Sequence, residues 1–149
     1  MFNSNIVTKR SIKAISVLTL IFVLQACTDS VNLNNKDSET QRWYNNAQVT
    51  QGKQIFLDNC ASCHGRAAQA TPNWRVADNN GIYPPPPLNG TAHAWHHPFT
   101  MLKETIAKGT ARGMPAWEEV LTESEIEATI AWIESHWPEP VYQAWMRRN

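Results

Sequence analysis

Cys60, Cys63 and His64 lie in the run Cys-Ala-Ser-Cys-His, two thiols three positions apart with an imidazole directly after the second. Thiols at this spacing can each form a thioether to one haem vinyl group, and the adjacent histidine then stands under the iron as proximal ligand. The pattern is the attachment signature of c-type haem. A Cys-x-x-Cys pair also occurs as half of a zinc knuckle or as a redox disulfide. Zinc normally takes four ligands, and the chain has no second Cys-x-x-Cys. A thioredoxin-like disulfide sits in a βαβ pattern, which is not visible here. Haem is the reading these residues support best.

Of the three cysteines, this leaves Cys27. Lys9, Arg10 and Lys13 precede an apolar run from Ala14 to Leu24, which has the length of a signal-peptide core. It is too short for a span, which needs roughly 20 apolar residues. Leu24-Gln25-Ala26-Cys27 resembles a bacterial lipobox, so residues 1–26 are expected to be a lipoprotein signal and Cys27 the acylated new N-terminus. A plain signal peptide cleaved nearby and an uncleaved helical anchor are the alternatives. At about 0.8 kcal/mol per buried methylene, several acyl chains would hold a small domain firmly at a membrane. Thr28, where an acidic residue would follow in some lipoproteins, leans towards the outer membrane by resemblance to enteric ones. Export also suits haem c, which is attached outside the cytoplasm.

Without the three basic residues of the signal, ten basic side chains face thirteen acidic ones. That balance argues against a nucleic-acid partner. Residues 28 to about 46, rich in Asn, Ser, Asp, Thr and Gln, read as a flexible tether. Trp43 and Tyr44 near its end either dock onto the domain or stay loose at a helix entry.

Three helices are then expected. The first covers about Ala47 to Asn59, with Val49, Gly52 and Phe56 on one face. The second covers about Pro98 to Lys108, stopped by Gly109. The third starts from a capping box of Thr122 and Glu125 and repeats Ile126, Ile130, Ile133 and Trp137 up to Pro138. No alternating strand is evident, so the fold class is all-α.

In this order the elements over residues 47–137 resemble a class I, single-haem cytochrome c. The resemblance implies a small cytochrome c fold over residues 47–149, with loops wrapped round one covalent haem and N- and C-terminal helices crossing closely at a small residue. Gly52 would be that residue, facing Trp132 or a neighbour. Pro86-Pro87-Leu88 matches the family's Pro-x-Leu segment, so the Pro86 carbonyl would accept from the second nitrogen of His64 and Leu88 would pack on the haem. Gly109-Thr110-Ala111-Arg112-Gly113-Met114-Pro115 matches its methionine loop, making Met114 the distal ligand. A thioether raises the haem potential relative to a second histidine and closes the sixth coordination position. Electron transfer follows, with donor and acceptor redox proteins as partners and no small-molecule substrate. A fixed haem c subunit of a larger redox complex is the alternative, as is a ligand-binding sensor or enzyme if Met114 is not a stable ligand.

Two loops exceed a minimal cytochrome. In residues 66–83, Trp74 and Arg75, together with Arg112 further on, could bind haem propionates through indole and guanidinium donors. In His93-Ala94-Trp95-His96-His97, three imidazoles could hold a second metal, copper or zinc. Otherwise they cap the second helix, bond propionates or lie on the surface.

Overall fold

Helix α1 (Asn46–Asn59) and helix α4 (Glu123–Ser135) cross in close backbone contact in the computed structural model, which describes residues 41–149. The expected signal at residues 1–26, the lipidation site Cys27 and most of the tether lie outside the described residues. Both crossing helices open on reciprocal caps. Gln48 N–H donates to the Asn45 side chain and Asn45 N–H to the Gln48 side chain; Thr122 and Glu125 repeat the arrangement. Gly52 is what permits the close approach, because a Cβ there would run into the Ala128 carbonyl. The contact therefore falls one turn before Trp132. Trp132 packs instead on Phe56, with ring centroids 4.3 Å apart.

Helix α2 (Ala61–His64), a 3-10 turn at Ala94–His96, helix α3 (Phe99–Lys108) and helix α5 (Glu139–Met146) complete the elements. No strand occurs among the described residues, and the all-α class holds. Helix α4 stops at Ser135, short of the expected Trp137, and α5 was not anticipated. Pro138, read as a stop, is the N-cap of α5, with Pro140 in its first turn. There the proline ring presets φ and the missing N–H removes no helical bond.

Two buried clusters form the core. One centres on Phe56, Trp132, Trp137, Tyr142 and Trp145; the other consists of Ile106, Leu121, Ile126 and Ile130. Burying one such side chain contributes about 1.5–3 kcal/mol. Trp43, Phe99 and Leu102 pack against both clusters. Trp43 and Tyr44 thus dock, and Tyr44 is buried.

The long segment between α2 and α3 is held by its backbone. Leu88 N–H donates to the Ala68 carbonyl at 2.8 Å. The Trp137 indole donates to the Leu88 carbonyl at 2.7 Å, and the Trp145 indole to the His97 carbonyl at 2.9 Å. Helix α5 and the turn before it therefore fasten the loop that carries Leu88.

Candidate functional site

Cys60 caps the end of α1 and begins the single turn of α2. The Cys63 and His64 amides donate to the Cys60 carbonyl at 3.2 and 3.0 Å. A helical turn sets residues three apart on one side, so Cys60 and Cys63 can reach the same planar group while His64 projects beside them. Both thiols are free; Cys60 is half-buried and Cys63 exposed. Burial, with the nearby Cys63, pushes the Cys60 thiol up to about 11. It is not a ready thiolate at neutral pH, as a nucleophilic or redox cysteine would be.

Burial also holds the His64 imidazole below its usual range, which favours the neutral form a metal requires. Its ring lies 6.3 Å from that of Phe56, and its carbonyl accepts from the Ala70 amide at 2.8 Å. Gly65, Ala68 and Ala70 all take positive φ in the turn that follows. For the two alanines this costs on the order of 1 kcal/mol each, and the Leu88–Ala68 and Ala70–His64 bonds hold them there.

His64 Nδ1 is buried and has no hydrogen-bond partner. The expected bond to the Pro86 carbonyl is not made. The Pro86–Leu88 run is anchored at its far end, where Leu88 N–H donates to the Ala68 carbonyl. Leu88, Cys60 and Ala61 nevertheless pack against the same buried cluster as Phe56.

Met114 is half-buried against the second cluster, beside Ile106, Leu121, Ile126 and Ile130. Its carbonyl accepts from Thr110 N–H at 2.9 Å, closing a tight loop. Gly109 has φ +69°, and any side chain there would collide with the Met114 carbonyl and the Pro115 backbone. The loop thus needs glycine at 109. His64 borders one cluster and Met114 the other, with Phe99 and Leu102 common to both.

These residues fit haem c. Two free thiols stand on one turn, the histidine that follows them has a buried, unpartnered Nδ1, and the Met114 thioether side chain packs against the second apolar cluster. Hollows of about 370 and 460 Å³ open beside Trp74, but neither is lined by Cys60, Cys63, His64 or Met114.

Trp74 is half-buried, with the Arg75 guanidinium 4.4 Å from its ring centre; Arg75 and Arg112 are both exposed. The three-imidazole metal site is not formed. Among the described residues no three His, Cys, Asp or Glu side chains gather as metal ligands. In and beside the 3-10 turn, His96 packs on Trp95 with ring centroids 4.0 Å apart, and the His93 and His97 rings lie 5.7 Å apart. Nor do they cap α3, whose first amide, Phe99 N–H, donates to the Asn149 side chain at 2.9 Å.

One polar group went unforeseen. Glu134 is fully buried, and its Oε2 accepts from the Trp43 indole at 2.6 Å. Its position directly after the mostly apolar run Ala128–Ile133 was the available signal.

Fold and site together define a small, all-helical domain of cytochrome c type. The chain belongs to the family of cytochrome c oxidase, cbb3-type, subunit III, whose profile matches residues 47–133. It is similar to the cbb3-type cytochrome c oxidase subunit CcoP of Azospirillum sp. (strain B510), at 28% identity over 117 residues, 78% of this chain and 36% of that protein. It is also similar to the subunit FixP of Bradyrhizobium diazoefficiens, at 31% identity over 96 residues, 64% of this chain and 29% of that protein. The chain thus spans about a third of the length of these relatives. No solved structure matches it. Among the described residues no helix is long and apolar enough to cross a membrane.

Proposed function

We propose that the domain transfers single electrons through one covalently attached haem c, passing them between a donor and an acceptor redox protein. The observation that carries this reading is the turn at Cys60–His64, where two free thiols adjoin a buried imidazole with an unsatisfied nitrogen. Haem c bound there supplies a one-electron ferric/ferrous couple. Cys60 and Cys63 would form the two thioethers, and His64 and Met114 would ligate the iron. Pro86 and Leu88 would border the haem, with Trp74, Arg75 and Arg112 as candidate donors to its propionates. Two protein ligands suit both iron oxidation states, so little rearrangement accompanies transfer. The acylated Cys27 would keep the domain at the periplasmic side of a bacterial membrane, with the outer membrane favoured by Thr28.

A second reading makes the domain a fixed haem c subunit of a larger redox complex. It is supported by the relatives, which are oxidase subunits. Two experiments test the proposal. On a denaturing gel the chain is expected to keep haem-dependent peroxidase stain, and the double variant Cys60→Ser/Cys63→Ser to lose it; stain absent from the parent would refute covalent haem. Gentle detergent extraction of membranes then separates the two readings. A shuttle elutes alone, whereas a subunit elutes with partners in fixed stoichiometry.

A further inference from the structure

Glu134 and the residues just before α1 form a device that the electron-transfer reading does not use. The Glu134 side chain is completely buried, a rare state for a carboxyl group. Its Oε2 receives the Trp43 indole N–H at 2.6 Å, while Oε1 is buried with no partner. Around it, Trp43 N–H donates to the Tyr142 hydroxyl at 3.0 Å, and Arg42 donates to the Tyr44 hydroxyl at 3.1 Å and to the Glu134 main-chain carbonyl at 3.0 Å. Arg42 also lies 3.9 Å above the Tyr142 ring and pairs with Glu139 at 2.7 Å. Residues 42–44 are thereby strapped across the end of α4 and onto α5.

Burial, with no ion pair to offset it, does not suit a carboxylate at Glu134. Arg42 spends its guanidinium on Glu139 and on main-chain carbonyls, and among the described residues no cation lies within 4 Å of the Glu134 carboxyl. From α3, Lys103 reaches α4 only at Glu123 and Glu127. On α1, Lys53 and Asp58 are exposed. The titratable and charged groups that face Glu134 are Arg42 and Tyr44 from the strap and Tyr142 from α5; burial disfavours the Glu134 charge more than the Trp43 N–H and the Arg42 guanidinium favour it. Burial raises both phenols, so they stay neutral through mild alkali.

We propose that Glu134 is a proton-controlled clasp: neutral, it holds Trp43 and the strap on the domain, and on losing its proton it lets them go. The release follows from cost. A fully buried carboxylate with no ion pair within 4 Å and one oxygen unpaired is strongly disfavoured. The Trp43 N–H and the Arg42 charge offset only part of that cost, and withdrawal of the Trp43 indole would bring water to it. Burial pushes the Glu134 carboxyl up to about 8, which sets the release in mildly alkaline solution. With the clasp closed the chain joins the domain at Arg42; with it open the junction moves to the Asn45 cap.

Trypsin cleavage after Arg42 reads the clasp directly. In the holoprotein, the cleavage rate at the Arg42–Trp43 bond would be measured from pH 6.5 to 9.5, divided by the rate for a free peptide of residues 38–48. This ratio is expected to rise at least fivefold around pH 8 in the parent. In Glu134→Gln, which keeps the acceptor for Trp43 but cannot ionise, it should stay low and flat. Trp43→Phe, which removes the indole donor, should raise it at every pH. A flat parental profile, or an equal rise in Glu134→Gln, would overturn the proposal. Should Glu134→Gln not accumulate as holoprotein, the parental profile and Trp43→Phe decide it alone, and unchanged protection in Trp43→Phe would count against the clasp.

Discussion

Cys60 and Cys63 differ in exposure, and that difference matters to how each would be attached. The half-buried Cys60 sits against the Phe56 cluster, whereas Cys63 faces solvent. Cys63→Ser is expected to leave a single thioether, seen as a shift of the reduced pyridine-haem absorption band to longer wavelength. An unshifted band would mean that Cys63 carries no thioether. The grouping of Cys60, Cys63 and His64 was legible in the sequence because residues three and four apart share one helical turn, and the tight loop before Met114 was legible from Gly109, which meets the Met114 carbonyl. That His64 Nδ1 would be left without the expected Pro86 partner was not foreseeable from sequence, since it depends on how the loop between α2 and α3 is held. Glu134 was missed for a different reason. A glutamate near a helix end reads as solvated, and only Trp43, 91 positions away, turns it into a buried acceptor.

The crossing of α1 and α4 explains why Gly52 is tolerated inside a helix. Alanine would gain about 1 kcal/mol of helix propensity, but its Cβ would strike the Ala128 carbonyl. Overpacking of this kind costs typically 1–3 kcal/mol or more. Gly52→Ala is therefore expected to lower the urea midpoint of the holoprotein; a raised midpoint would show that the backbones are further apart. Thr122→Ala removes a cap whose hydroxyl accepts from Glu125 N–H, and should cost about 1 kcal/mol in the same titration. The apolar spacing of α1, α3 and α4 and the capping box of α4 were readable because they are local to each helix. Helix α5 was not, because Pro138 and Pro140 serve equally as a stop and as a first turn. Only the burial of Tyr142 and Trp145 against α4 and the loop decides between them.

For the whole molecule, Glu134 links stability to pH. Its folded-state value of about 8 lies above the ordinary 4.5, so the folded chain binds the proton more tightly than the unfolded chain does. The stabilisation is complete below pH 4.5 and is lost as pH rises through about 8. Urea denaturation of the holoprotein between pH 5 and 9 should show this decline, and Glu134→Gln should flatten it; a parental stability that rises over this range would contradict the burial argument. Under the proposed function the same domain would serve as a shuttle or as a wired subunit, because both would need only a six-coordinate iron ligated by His64 and Met114. That ligation is the central claim, and the optical spectrum of the holoprotein tests it most directly. The oxidised protein is expected to show the weak long-wavelength sulfur-to-iron band, Met114→Ala to lose it, and the reduced parent not to bind carbon monoxide. A parent without that band that binds carbon monoxide readily would contradict electron transfer and point to ligand chemistry at the iron.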